Sequence, residues 1–306
     1  MTTGFKPRLL TRTLPILSAI SLLGMIALGE DADIQNLQSR AAHGDAESQF
    51  RLGRAYGRGE GVPRDDAQAA QWYLKSASQG NAKAQNNLGG LYHSGLGVPQ
   101  NDGTALEWFR KAAAQNAAPA QDALGQAYYH GWSLKRDDVQ AAAWYLKAAR
   151  QGLVQAQAHL GELYFFGSPA VPKDFAKAAG WLGKAAAQGN PWALDTMGAI
   201  YENGWGVEKD FKRAAADYEQ AALLGEKKAP GNIGRLYAEG RGVPQDWVKA
   251  CAWFSIGDSR GEVNAKKLLE SYQIYFTPDV IAKAGPQIDQ YRAKIAAAKQ
   301  AALPQR

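Results

Sequence analysis

The chain has 306 residues, 46% of them hydrophobic and 21% charged, a balance that fits a folded globular protein and excludes a disordered chain or one embedded throughout in a membrane. Its formal net charge is +6, and half of that excess lies in Lys6, Arg8 and Arg12, so the remainder argues against a nucleic-acid partner. A single cysteine, Cys251, rules out an intramolecular disulfide, and its apolar surroundings (Ala250, Ala252, Trp253, Phe254) mark it as a small core residue.

Residues 1–13 carry those three cations and no acid, and residues 14–28 (LPILSAISLLGMIAL) are apolar apart from two serines. The apolar stretch stops at Gly29, Glu30 and Asp31, with Ala27 and Gly29 as small residues before a cleavage point. This pattern predicts a secretory signal peptide over residues 1–29. A spanning helix needs about 20 apolar residues, more than this stretch supplies, so an uncleaved N-terminal membrane anchor is the alternative. No cysteine follows the apolar run, which excludes a lipoprotein, and there is no twin arginine. The expected location is periplasmic, with inner-membrane anchoring or secretion as the other possibilities, and contact with a membrane only through this segment.

Residues 30–45 follow as a cap, in which residues 33–44 (DIQNLQSRAAHG) read as the second helix of a truncated leading unit. From Ala46 the chain repeats itself. A Leu-Gly pair recurs at Leu52, Leu88, Leu124 and Leu160 and continues as Met197-Gly198 and Ile233-Gly234, in steps of 36, 36, 36, 37 and 36 residues. The longer step coincides with one extra residue in the loop GSPAVPKD after Phe166. Three residues after each of these glycines stands a tyrosine (Tyr56, Tyr92, Tyr128, Tyr164, Tyr201, Tyr237), then a glycine, then an aspartate or asparagine. Aromatic pairs close each unit at Trp72-Tyr73, Trp108-Phe109, Trp144-Tyr145 and Trp253-Phe254, degraded to Trp181-Leu182 and Asp217-Tyr218 in units four and five.

Each unit reads as a helix hairpin. In the first helix, alanine, leucine and tyrosine fall three and four residues apart and so share a face. The glycine after the tyrosine can take the left-handed conformation that closes a helix. A loop of GEGVP type follows, and the aspartate after it (Asp65, Asn101, Asp137, Asp174, Asp210, Asp246) offers an N-cap oxygen to the second helix. Gly53 and its equivalents, with Ala69, Ala70 and Ala77 opposite, let the two helices approach. The tyrosine and tryptophan columns are expected to be core. One hairpin cannot bury both faces, so neighbours must stack.

The residues 46–80 and 82–116, which follow A-x-x-x-L-G-x-x-Y-x-x-G-x-G-V-x-x-D-x-x-x-A-x-x-W-Y-x-K-A-A-x-Q-G almost throughout, resemble the Sel-1-like repeat family, a branch of the tetratricopeptide-type solenoids. The resemblance covers residues 46 to about 260 in six copies. It implies an all-α fold, a right-handed α-solenoid of stacked helix hairpins with about six 36-residue repeats. Unit three departs from it at Gly131-Trp132-Ser133-Leu134, and unit five lacks the second-helix tryptophan. Residues 261–306 resemble the closing helices of such proteins, with Thr277 as N-cap and Pro278 as first helical residue. A cysteine-rich branch of the family is linked to β-lactam binding or hydrolysis, but it staples each hairpin with a cysteine pair that this chain lacks.

Chemistry-bearing motifs are absent: no G-x-S-x-G, P-loop or HExxH occurs, and the histidines His43, His93, His130 and His159 show no metal-ligand spacing. No catalytic residue, metal or cofactor is expected. The resemblance places a binding groove along the first helices, at positions two and five residues either side of the glycine-preceding leucine. These are Glu47, Phe50, Arg54, Asn86, His93, Asp122, Gln126, Tyr129, Glu162, Phe165, Trp192, Asp195, Glu202, Lys228 and Arg235. Trp132 and Trp205, at one loop position in units three and five, are added as edge contacts. The expected function is a protein–protein interaction scaffold of the bacterial envelope holding a protein or peptide partner. An envelope enzyme acting on cell-wall or β-lactam-like substrates and a secreted host-interaction factor are the alternatives.

Overall fold

The computed structural model describes residues 34–302, and among them every regular element is helical. The predicted signal segment lies outside the described residues. None of the described helices is long and apolar enough to cross a membrane. The chain divides into two compact units, one ending at Gln100 and one beginning at Asn101.

In the first unit, α1 (residues 34–42) precedes α2 (Ala46–Arg58), α3 (Asp66–Ser78) and α4 (Ala82–Ser94). The hairpin α2–α3 forms because its ends are satisfied locally. Asp45 caps α2 through the Ser48 amide, Gly59 closes it in the left-handed conformation, and Asp65 accepts from the amides of Ala67 and Gln68 to start α3. Leu52, Ala55, Ala69, Ala70, Tyr73 and Ala77 are buried between these helices and α4, which adds Ala84 and Leu88.

The second unit runs α5 (Asp102–Ala114), α6 (Ala118–His130), α7 (Asp138–Arg150), α8 (Val154–Phe166), α9 (Phe175–Ala187), α10 (Pro191–Asn203), α11 (Phe211–Leu223), α12 (Ala229–Glu239) and α13 (Trp247–Ser259). It ends with α14 (Val263–Ser271), a 3-10 turn at Gln273–Tyr275, and α15 (Pro278–Ala302). Hairpins α6–α7, α8–α9, α10–α11 and α12–α13 stack in order, each second helix packing on the next first helix. All the expected N-caps of second helices in this unit, Asn101, Asp137, Asp174, Asp210 and Asp246, accept amide hydrogen bonds. Thr277 Oγ1 accepts from the Val280 amide at 3.4 Å, and α15 starts at Pro278 as the sequence predicts.

The glycines Gly53, Gly125, Gly161, Gly198 and Gly234, each after a first-helix leucine or its equivalent, are seats for the second residue of the aromatic pair. A Cβ on Gly198 would lie 2.7 Å from the Tyr218 ring, and one on Gly161 2.6 Å from Leu182, so any side chain there would push the hairpin apart. Tyr73, Tyr145, Leu182, Tyr218 and Phe254 are accordingly buried, and Phe109 is buried as well.

The first residue of that pair corrects an expectation. Trp72, Trp108, Trp144 and Trp181 are only half-buried, and each carries the ammonium of the lysine one turn later over its ring, at 3.9, 4.1, 3.8 and 4.2 Å. Trp181 packs at the edge of the cluster formed by α7 and α8 without being enclosed by it. The tyrosine column is likewise half-buried except at Tyr237.

A buried glutamine three residues before the glycine-preceding leucine joins neighbouring elements. Gln49, Gln85 and Gln157 donate to the carbonyls of Ala41, Ala77 and Ala149, which lie at the ends of the preceding helices. Gln79, Gln151 and Gln188 of the closing Gln-Gly or equivalent in turn donate to Gln49, Gln121 and Gln157. Units five and six replace this glutamine by Leu194 and Pro230, and the joint there is apolar.

Candidate interaction face

The predicted groove residues lie on the first helices, and the structure gathers some of them into clusters. In the first unit, Arg54 reaches Glu60 at 3.5 Å and Arg51 reaches Glu47 at 3.1 Å. With Ile34, Leu37 and Arg40 of α1 they line a cleft of about 460 Å³. Phe50, buried against Tyr73 at 6.0 Å between ring centres, is core rather than groove. Asn86 and His93 are half-buried along α4, and the Asn86 amide lies 3.4 Å from Asn87.

In the second unit the first cluster joins α6 to α8. Asp122, 6% exposed, accepts from Gln126 Nε2 and faces His159 Nδ1, both at 2.9 Å. His159 also lies 5.2 Å from the Tyr145 ring. Burial works against the imidazolium, yet the hydrogen bond to Asp122 and the charges of Asp122 and Glu162 outweigh it and raise the His159 pKa. Gln126, Tyr129 and Glu162 surround this pair and, with His130 and Leu163, line a cavity of about 120 Å³. Arg136 lies over the Tyr129 ring at 5.1 Å.

The second cluster joins α10 to α12. Asp195 accepts from Asn232 Nδ2 at 2.8 Å, and burial pushes its carboxyl up to about 6. Glu202 is buried and accepts from both Arg235 Nη2, at 2.8 Å, and the Tyr218 hydroxyl, at 3.0 Å. Desolvation favours its neutral form, but those hydrogen bonds and the charges of Arg235 and Arg241 win, and its pKa is lowered. Glu239 holds the other side of Arg235 at 3.3 Å.

His159 and Asn232 were not singled out from the sequence as groove residues. Both stand one residue before the repeat leucine or its equivalent, and each meets an aspartate two residues before the leucine of the preceding unit, a separation of 37. The signal was present as a polar residue one repeat plus one from an aspartate, but it is legible only once the helices are known to stack in register.

The four tryptophans outside the pair column turn inward to different degrees. Trp205 stacks on Phe175 at 5.4 Å and meets Phe165 edge-on at 5.6 Å, so it packs on the hairpin before its own. Trp132 lies parallel to His130 at 6.1 Å. Trp192 is half-buried against the core, and Trp247 stacks on Tyr275 at 4.2 Å. Among the described residues no group of three or more potential metal ligands comes together.

Helix hairpins of one length, stacked so that second helices seat on the next first helices, define a helical-repeat protein. A family profile described as Sel1 repeat matches residues 46–81, 82–116, 118–153, 154–190, 197–226 and 232–257, and the chain belongs to the Sel1 repeat family. Proteins of this family are in general protein-interaction scaffolds. Among solved structures, the chain is similar to a protective antigen present in uropathogenic Escherichia coli strains that displays an SLR fold, at 32% identity and a TM-score of 0.74. That match covers 86% of this chain and 56% of the antigen. A Sel1 repeat protein from Oxalobacter formigenes is similar at 35% identity and a TM-score of 0.68, over 77% of this chain and 68% of that one. No curated protein matches the chain.

Proposed function

We propose that this protein is a scaffold or adaptor of the bacterial cell envelope that holds a protein or peptide partner on its first-helix faces. The observation that carries the reading is the α6–α8 cluster. It sets an aromatic ring, an amide and a carboxylate (Tyr129, Gln126, Glu162) around a small cavity, on a rigid base made by Asp122 and His159. Aromatic anchors with fixed polar neighbours are what a binding hot spot needs. The remaining predicted contacts divide by their setting. Arg54, Asn86, His93 and Trp192 supply adaptable rim, whereas Asp195, Glu202 and Arg235 hold α10 to α12 and contribute through the shape they fix. Export rests on the basic and apolar composition of residues 1–29, with residues 30–45 and 261–306 as caps on the repeats.

The test is capture from the envelope fraction by the full chain and by a Gln126→Ala, Tyr129→Ala, Glu162→Ala variant. We expect one set of partners to be retained by the wild type and reduced roughly tenfold or more by the variant, at unchanged helicity, as hot-spot truncation does. Equal retention by both proteins would sink the first-helix reading. Turnover of a chromogenic β-lactam or of muropeptides by the purified protein would favour the enzyme alternative instead. The similarity to a protective antigen supports one variation, a partner from the host. Recovery of the protein outside the producing cell would favour that variation.

A further inference from the structure

We propose that the cleft between α9 and α11 around Asp217 binds an alkylammonium group, the lysine side chain of a protein partner. The cleft lies between two second helices with α10 as a further wall, and it shares no residue with the α6–α8 cluster on which the reading above rests.

Two departures from the repeat meet there. The second helices of the other units carry tryptophan where α11 has Asp217, at Trp72, Trp108, Trp144, Trp181 and Trp253. On the facing helix, α9 has Gly183 where earlier units hold Leu74, Arg110 and Leu146. Both exchanges remove bulk. What remains is a cleft of about 380 Å³, walled by Gly183 and Ala186 of α9 and by Leu194, Met197 and Tyr201 of α10, with Asp217 at one side.

Asp217 is half-buried and makes no hydrogen bond or ion pair among the described residues; Arg213, one turn earlier, is the single charge acting on it. Arg213 is engaged elsewhere, with Nε 3.3 Å from Asp210 and its guanidinium 5.5 Å from the Tyr201 ring. Burial pushes the Asp217 carboxyl up to about 6. A desolvated carboxylate without a partner is unfavourable, and a cation entering from outside offsets that cost. The apolar walls of Leu194 and Met197 suit an alkyl stem, since lysine buries its methylenes and presents its charge at the tip.

The rest of the chain shows why this cation must come from elsewhere. In units one to four the residue one turn after the tryptophan is a lysine lying over the ring. One turn after Asp217 stands Gln220. Unit five has thus lost the ring and its lysine together and gained an acid.

The test is an NMR titration of the full isotope-labelled chain with Nα-acetyl-lysine methylamide, its Nε-acetylated counterpart and 1,5-diaminopentane. We expect saturable shifts at the amides of Gly183, Ala186 and Asp217 with the capped lysine, at a dissociation constant on the order of a millimolar for so small a ligand. Binding should weaken roughly tenfold or more with the Nε-acetylated probe and in Asp217→Asn, which lose the charge-assisted contact. It should also weaken as pH falls through about 6, where Asp217 takes up its proton. The other titratable groups lining the cleft are the Tyr201 phenol and the Arg213 guanidinium, the latter held charged there by its raised pKa.

Gly183→Leu restores the residue type of earlier units; a Cβ at Gly183 meets nothing within 4 Å, so the variant should fold and block the cleft. Asp217→Asn should melt no lower than the wild type. Absent or non-saturable shifts, or equal binding by Asp217→Asn, overturn the proposal. A lowered melting midpoint in Asp217→Asn would assign the carboxylate to structure and overturn it too. Binding of the diamine without the capped lysine would overturn the assignment to a protein side chain.

Discussion

The same residue type at the same repeat position meets two fates in the second unit. Trp144 on α7 is half-buried, its outer face covered by the Lys147 ammonium at 3.8 Å. Trp253 on α13 is fully buried, and Tyr291 of α15 stacks on it at 4.1 Å. Where Trp144 is followed one turn later by Lys147, Trp253 is followed by Ile256, itself 1% exposed. The repeat itself thus leaves this second-helix position only half-covered in units one to four. Unit six adapts that position because a further helix packs on it. In this chain the tryptophan column becomes fully buried at Trp253, where α15, outside the repeats, covers it.

This contrast can be broken at three places. Trp253→Ala should cost about 3–5 kcal/mol of stability, the range for removing a fully buried large aromatic, and should loosen α15 from α13. Urea unfolding followed by far-UV circular dichroism measures it, and hydrogen exchange along α15 reports the loosening. Trp144→Ala should cost less, about 1–2 kcal/mol, because a half-buried side chain loses only part of its apolar area. Equal losses at the two positions would show that α15 contributes nothing to the burial of Trp253. Lys147→Met should have the smallest effect, about 0.5 kcal/mol, since an exposed cation–π contact is worth little and the methionine stem still covers the ring. A loss as large as that of Trp144→Ala would instead make the lysine the main support of the ring.

Much of this architecture was legible before any coordinate. The recurring leucine, glycine, tyrosine and aspartate each act over a few residues, through a helix face, a left-handed closure or an N-cap, and such local effects survive into any fold the chain adopts. The candidate site was legible only in part. Gln126, Tyr129 and Glu162 fell on the expected face, and the structure brings them together. Their base, the Asp122–His159 pair, crosses from one hairpin to the next. Phe50 shows the converse: its position suggested the groove, and contact with Tyr73 made it core. Trp205 looked exposed in its loop, and Phe165 and Phe175 of the preceding hairpin drew it in.

By itself the sequence determined that the chain is a series of helix hairpins, where the first helices close and where the second helices begin, because those features depend on contacts within about one turn. Only the tertiary structure decided which repeat residues are covered and which stay open, which acid gains a partner across hairpins as Asp122 does, and which is left without one as Asp217 is. Those outcomes depend on what packs against a residue from a unit some 36 positions away, and a single period in the sequence carries no record of that neighbour.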